Sequence, residues 1–81
     1  MKIQVQFFSR LRDLTERSQI DLDVPEGTTA ADLLATLYAQ TPALPQWDKS
    51  ILVASGVEFV GRDHVLRAGD EISIMPPVQG G

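Results

Sequence analysis

The sequence predicts an α+β domain in which one main helix covers a mixed sheet of four to five strands. Three observations carry that prediction. Apolar and polar residues alternate near the start of the chain and again near its end, the two-residue period of half-buried strands. Between them, residues 30–40 repeat their apolar side chains at helical spacing. The 81 residues, 43% hydrophobic and 22% charged, suffice for one core and leave no room for a second.

The elements follow in order. In Lys2 to Ser9, the side chains of Ile3, Val5 and Phe7 share one face and those of Lys2, Gln4 and Gln6 the other, which predicts a strand with Phe8 out of phase. Ser9 is placed to cap a short helical turn that carries Leu11 and Leu14 on one side, with Arg10, Arg12 and Asp13 in water. Gln19 to Val24 alternates again, and Pro25, Glu26 and Gly27 close that strand with a turn. Thr29 and Asp32 form a short version of the capping box. Ala30, Leu33, Leu34, Leu37 and Tyr38 then predict a helix over 30–40, which Thr41 and Pro42 end. Pro42 to Lys49 is a loop with room for a short turn around Trp47, which lies as a lid over one end of the core. Ile51 to Ala54 is an apolar run suited to a strand, Gly56 supplies a bend, and Val57 to Val60 returns as a short strand. Glu71 to Met75 is the last strand, with Ile72 and Ile74 inward and Met75 outward. This order is that of a ubiquitin-like β-grasp. A single helix covers only one face of its sheet, so the other face meets water or a partner.

Composition excludes several functions. Seven Lys and Arg against eleven Asp and Glu give a formal charge of -4, the wrong sign for phosphate neutralisation, so no nucleic-acid partner is expected. No cysteine is present, which removes disulfides, a thiol nucleophile and thiolate ligands. One histidine makes no two-histidine metal site. Neither a signal peptide nor a membrane-length apolar run is visible, so no membrane association and a cytoplasmic location are expected. His64 is the one candidate base and lies in the turn-like stretch GRDH, where a solvated histidine is the plainer reading. Asp21 and Asp23 serve solubility on the outer side of a strand, and no phosphate-binding glycine motif is present. No independent catalyst emerges, and neither a bound cofactor nor a metal is expected.

The end of the chain is different. Residues 1–75 read as the folded domain and 76–81 as an extended tail: Pro76, Pro77, Val78, Gln79, Gly80, Gly81, without a charged side chain. Prolines stiffen such a segment, and six residues at about 3.3 Å each reach some 20 Å. Gly80 and Gly81 have no Cβ, so a terminal carboxylate on Gly81 can thread a narrow channel. Phe8, Phe59 and Met75 are apolar residues expected on the uncovered face near the root of this tail, where they suggest a docking surface.

These residues resemble a known family. The stretch LRAGDEISIMPPVQGG is similar to the end of the small, sulfur-carrying subunit of molybdopterin synthase, whose members close with a Gly-Asp-Glu turn and strand followed by Pro-Pro-Val-x-Gly-Gly. The positions here are Gly69, Asp70, Glu71, Pro76, Pro77, Val78, Gly80 and Gly81, and the opening KIQVQFFSRLRDL and the helix entry PEGTTAADLL fit as well. Gly56 stands where the family usually has Asn, and Met75 where an aromatic is often found.

The resemblance implies a carrier, not an enzyme. A ubiquitin-activating-like adenylyltransferase would use ATP to adenylate Gly81, and a sulfur donor enzyme would convert it to a thiocarboxylate. The tail would deliver that sulfur to a cyclic pyranopterin precursor inside the large subunit, which supplies the catalytic residues in a heterotetramer of two small and two large subunits. Alternatives are a carrier for thiamine or tRNA thiolation, a ubiquitin-like protein modifier, and a β-grasp binding module without chemistry.

Overall fold

The computed structural model describes residues 1–77. Its elements in chain order are β1 (Lys2–Phe7), α1 (Ser9–Thr15), β2 (Gln19–Asp23), α2 (Ala30–Gln40), a 3-10 turn (Pro45–Ser50), β3 (Leu52–Ser55), β4 (Glu58–Val60) and β5 (Glu71–Met75). The strands form one sheet in the order β2-β1-β5-β3-β4. β1 runs parallel to β5 and antiparallel to β2, and β3 is antiparallel to both β5 and β4. The ubiquitin-like β-grasp expected from the element order is the fold observed.

The strongest alternators take the centre of the sheet. Register pairs Val5 with Ile72 and Phe7 with Ile74, so these side chains stand together on one face. None of the four is more than 3% exposed. α2 lays Ala30, Leu33, Leu34 and Leu37 on that face, and Leu11 of α1 and Leu44 complete the same core. Burying each large aliphatic side chain contributes about 1.5–3 kcal/mol, which is what holds helix to sheet.

The start of α2 is fixed from two sides. Thr29 Oγ1 accepts from the Asp32 amide at 3.2 Å, and Asp32 Oδ2 accepts from the Thr29 amide at 3.1 Å, so the capping box closes even with the shorter Asp. The amides of Ala30 and Ala31 donate to the carbonyls of His64 and Arg62, both at 2.9 Å. The segment between β4 and β5 thereby takes up helix donors that have no partner inside the helix.

Several sequence readings are corrected. The side chain of Ser9 caps nothing; Phe8 holds the N-cap position, and Ser9 itself has a positive φ of 52° as the chain reverses from β1 into α1. β3 runs one residue later than the apolar run, and Val57, 99% exposed, belongs with Gly56 (φ 62°) to the turn before β4. His64 is half-buried rather than solvated, with Nε2 shielded from water and without a hydrogen-bond partner among the described residues. Trp47, by contrast, packs on the rim of the core as the expected lid, and the turn expected around it is the 3-10 turn Pro45–Ser50.

That turn is held by groups distant in sequence. Arg62 donates through Nη2 to the carbonyls of Asp48 at 2.7 Å and Ile51 at 3.1 Å, and through Nη1 to Asp48 Oδ1 at 3.2 Å. The Tyr38 hydroxyl donates to the same carboxylate oxygen. Partial burial, with Asp48 as hydrogen-bond acceptor, pushes the Tyr38 phenol up to about 12 from its ordinary 10.0. Asp48 is held below its ordinary value, chiefly by the Tyr38 hydroxyl and then by the Arg62 charge.

A phenol whose folded-state value is raised contributes stability that is full below the unfolded value and lost as pH climbs toward the folded one. Between pH 10.0 and about 12 the wild type therefore loses stability that Tyr38→Phe does not have to lose. Thermal melts should show a flatter alkaline decline for Tyr38→Phe, starting from a neutral-pH stability lower by about 1 kcal/mol for the missing hydrogen bond. Parallel declines for both proteins would contradict this.

No helix among the described residues is long and apolar enough to cross a membrane. No group of three or more potential metal-ligating side chains occurs among them either.

Candidate docking face and tail root

The face of the sheet turned away from α2 is built by strand register. Residues paired across a ladder point the same way, and every second residue along a strand returns to that face. Leu52 pairs with Met75, and Ala54 pairs with both Ser73 and Phe59. All five lie opposite Val53 and Ile74, which are in the core. Phe8 follows the inward Phe7, and its amide donates to the Ile74 carbonyl at 3.1 Å, extending the β1–β5 ladder so that Phe8 stands beside Met75.

The exposures fit a surface and not a core. Phe8 is 41% and Phe59 66% exposed, while Met75 is half-buried. Leu52 and Ala54 fill the space between Phe59 and Met75, and were not singled out in the sequence. The signal for them was present: Ile51 to Ala54 is apolar without alternation, the pattern of a strand with apolar residues on both faces. The other half of this face is polar. Lys2, Gln4 and Gln6 pair with Asp23, Asp21 and Gln19, and Glu71 pairs with Gln4.

The apolar half leads into a groove of about 910 Å³ at the end of β5, walled by Phe8, Ser9, Arg10, Asp13, Trp47, Met75, Pro76 and Pro77. The Arg10 guanidinium lies 5.2 Å from the centre of the Trp47 ring, a cation–π contact on the groove wall. The structure thus brings Phe8 and Met75 together with Pro76 and Pro77. Phe59 shares their face but stands on β4, beyond β3, and does not line the groove. Val78, Gln79, Gly80 and Gly81 lie outside the described residues.

His64 does not line the groove. The face offers apolar contact and a place for the chain to leave the sheet.

Comparison with known proteins gives this arrangement a context. Residues 5–81 match the model of the ThiS family. The molybdopterin synthase sulfur carrier subunit of Escherichia coli is 36% identical over 83 aligned positions, covering 98% of this chain and 99% of that protein. The subunit of the same description from Chlamydomonas reinhardtii is 32% identical, with both chains covered completely. Among solved structures, SAMP1 from Haloferax volcanii superposes with a TM-score of 0.85 at 27% identity, covering all of both chains. With a family model matching nearly its whole length and relatives above 30% identity matching end to end, the chain belongs to the ThiS family, among the molybdopterin synthase sulfur carrier subunits.

Proposed function

We propose that the carboxylate of Gly81 is the working group of this sulfur carrier, and that residues 76–81 are a tail delivering it from a folded domain of residues 1–75. The observation that carries this reading is the apolar face around Phe8 and Met75, placed where the chain leaves β5 at Pro76 and Pro77. A partner that takes in the tail must cover that face.

A carboxylate is a poor acyl donor, so the cycle begins with activation. A ubiquitin-activating-like adenylyltransferase joins a Gly81 carboxylate oxygen to the α-phosphate of ATP and releases pyrophosphate. Hydrosulfide supplied by a donor enzyme then attacks the acyl carbon, AMP leaves with the electrons of the C–O bond, the sulfur loses its proton, and a thiocarboxylate remains. The tail next enters the large subunit of molybdopterin synthase, in a heterotetramer of two small and two large subunits. There the terminal sulfur attacks a carbon of the pyranopterin precursor, water hydrolyses the resulting acyl–sulfur bond and returns Gly81 as a carboxylate, and two carriers complete one dithiolene. The acid–base residues belong to the partners, ATP is the activating partner's substrate, and the carrier holds no cofactor of its own. The chemistry proceeds in the cytoplasm, without nucleic acid or membrane.

Reconstitution tests the cycle: thiocarboxylated protein, the large subunit and precursor should yield molybdopterin, and the carboxylate form should yield none. Within the tail, Gly80→Ala should slow transfer more than Gln79→Ala, because a methyl at Gly80 restricts the backbone and widens the chain next to the reacting carbon. Equal single-turnover rates for the two variants would argue against a narrow channel.

The likeness to SAMP1, a small archaeal modifier protein, favours a second reading in which the same adenylated terminus forms isopeptide bonds with lysine. Ladders of conjugates that survive denaturing, reducing electrophoresis would support it, and carrier released as free protein after every turnover would oppose it.

A further inference from the structure

We propose that Trp47, stacked under Arg10 and clamped in place by Arg62, is a positioning residue that sets the direction in which the chain leaves the sheet at Pro76 and Pro77; this rests on the reading of the tail as the delivered segment. Three observations converge on Trp47. It lines the groove together with Met75, Pro76 and Pro77, so its ring forms a wall at the root of the tail. One side of that ring meets the Arg10 guanidinium, while the ring also packs on the rim of the core, which leaves it little freedom to turn. The turn that carries it is held by four hydrogen bonds: two from Arg62 to the backbone carbonyls of Asp48 and Ile51, and two, from Arg62 and Tyr38, to the Asp48 carboxylate.

A 3-10 turn of six residues has weak intrinsic stability, so a clamp from α2 and from the segment after β4 is a large investment of fixed groups for a surface turn. The clamp sits next to Trp47 in sequence, and the Ile51 amide closes the turn on the Trp47 carbonyl at 3.0 Å. Prolines convert the wall into a direction. Each has φ fixed near −65°, so a rigid ring on the groove wall that Pro76 and Pro77 share narrows the directions open to the chain where it leaves β5. A chain end presented in one direction loses less conformational freedom when a partner takes it in than one that sweeps a wide cone. The effect should therefore appear in how readily the carrier is taken up, not in the rate of chemistry once it is bound.

The test treats the carrier as the varied substrate of its adenylating partner. Trp47→Ala should raise KM about fivefold or more with kcat within about twofold of wild type. Trp47→Phe, which keeps an aromatic wall, should recover most of that loss. Because Trp47 also touches the core, melts accompany both variants, and Arg10→Ala gives a second route: Arg10 is exposed, so the fold should hold while KM rises about twofold to threefold. In the free protein, nuclear Overhauser contacts between the Trp47 indole and the Pro76 and Pro77 rings should be present and should weaken in Arg62→Ala. Trp47 is the sole tryptophan, so its emission reports the same change without interference. Wild-type KM for a folded Trp47→Ala, or indole–proline contacts that Arg62→Ala leaves intact, would overturn the positioning role. Failure of the wild type itself to be adenylated would instead overturn the function on which it rests.

Discussion

Removing Gly81, or adding one residue after it, should abolish thiocarboxylate formation while leaving the melting temperature unchanged. In the proposed cycle, activation and sulfur transfer both occur at the acyl carbon of Gly81, so no neighbouring group can substitute for it. The fold has no comparable need. Among the described residues the core ends at Ile74, and Pro77 is already exposed. Exposed ends contribute few buried contacts and tolerate truncation. Activity and stability should thus separate completely, with thiocarboxylate followed by mass spectrometry and folding by thermal melts. Sulfur transfer by an extended, unprocessed chain would contradict the proposal.

The second large effect concerns the face that surrounds the tail. Phe8→Asp should weaken association with the large subunit at least about tenfold, since apolar anchors buried by a partner contribute about 1–2 kcal/mol or more and about 1.4 kcal/mol is one factor of ten. In the free domain the new carboxylate reaches water, because Phe8 is 41% exposed, so melts should change little. Met75→Asp should weaken association similarly, with a modest loss of stability because Met75 is half-buried. The control is one residue away. Ile74→Asp places a charge on the core side of the same strand, where Ile74 is 0% exposed, and should cost several kcal/mol and unfold much of the protein. Calorimetric titration beside melts distinguishes the two faces. Unchanged affinity for Phe8→Asp would remove the face from the interface.

What the sequence made legible was whatever is written locally. The helical spacing and the Thr29–Asp32 pair place α2 over Ala30–Gln40, and strict alternation places β5 over Glu71–Met75, both as observed. Phe8 and Met75 were visible on the open face because each falls out of phase with an inward neighbour. Features that depend on partners across space were not legible. Leu52 and Ala54 join that face only because β3 lies between β4 and β5, a neighbour relation that the apolar run by itself does not specify. The clamp on Asp48 draws Tyr38 and Arg62 from positions 10 and 14 residues away, and no spacing rule links them. Ser9 misled because a serine before a helix usually caps it, whereas here tight reversal of the chain places Ser9 in the left-handed region and hands the cap position to Phe8. His64 misled because turn-like sequence implies solvent, while this turn packs against the start of α2.

The most direct measurement incubates the protein with its adenylating partner, ATP and inorganic sulfide, then reads the mass of the C-terminal peptide. A mass increase equal to oxygen replaced by sulfur, confined to the peptide ending in Gly81 and dependent on ATP, is the expected result. An unmodified Gly81, in a mixture that thiocarboxylates the Escherichia coli carrier subunit under the same conditions, would contradict it.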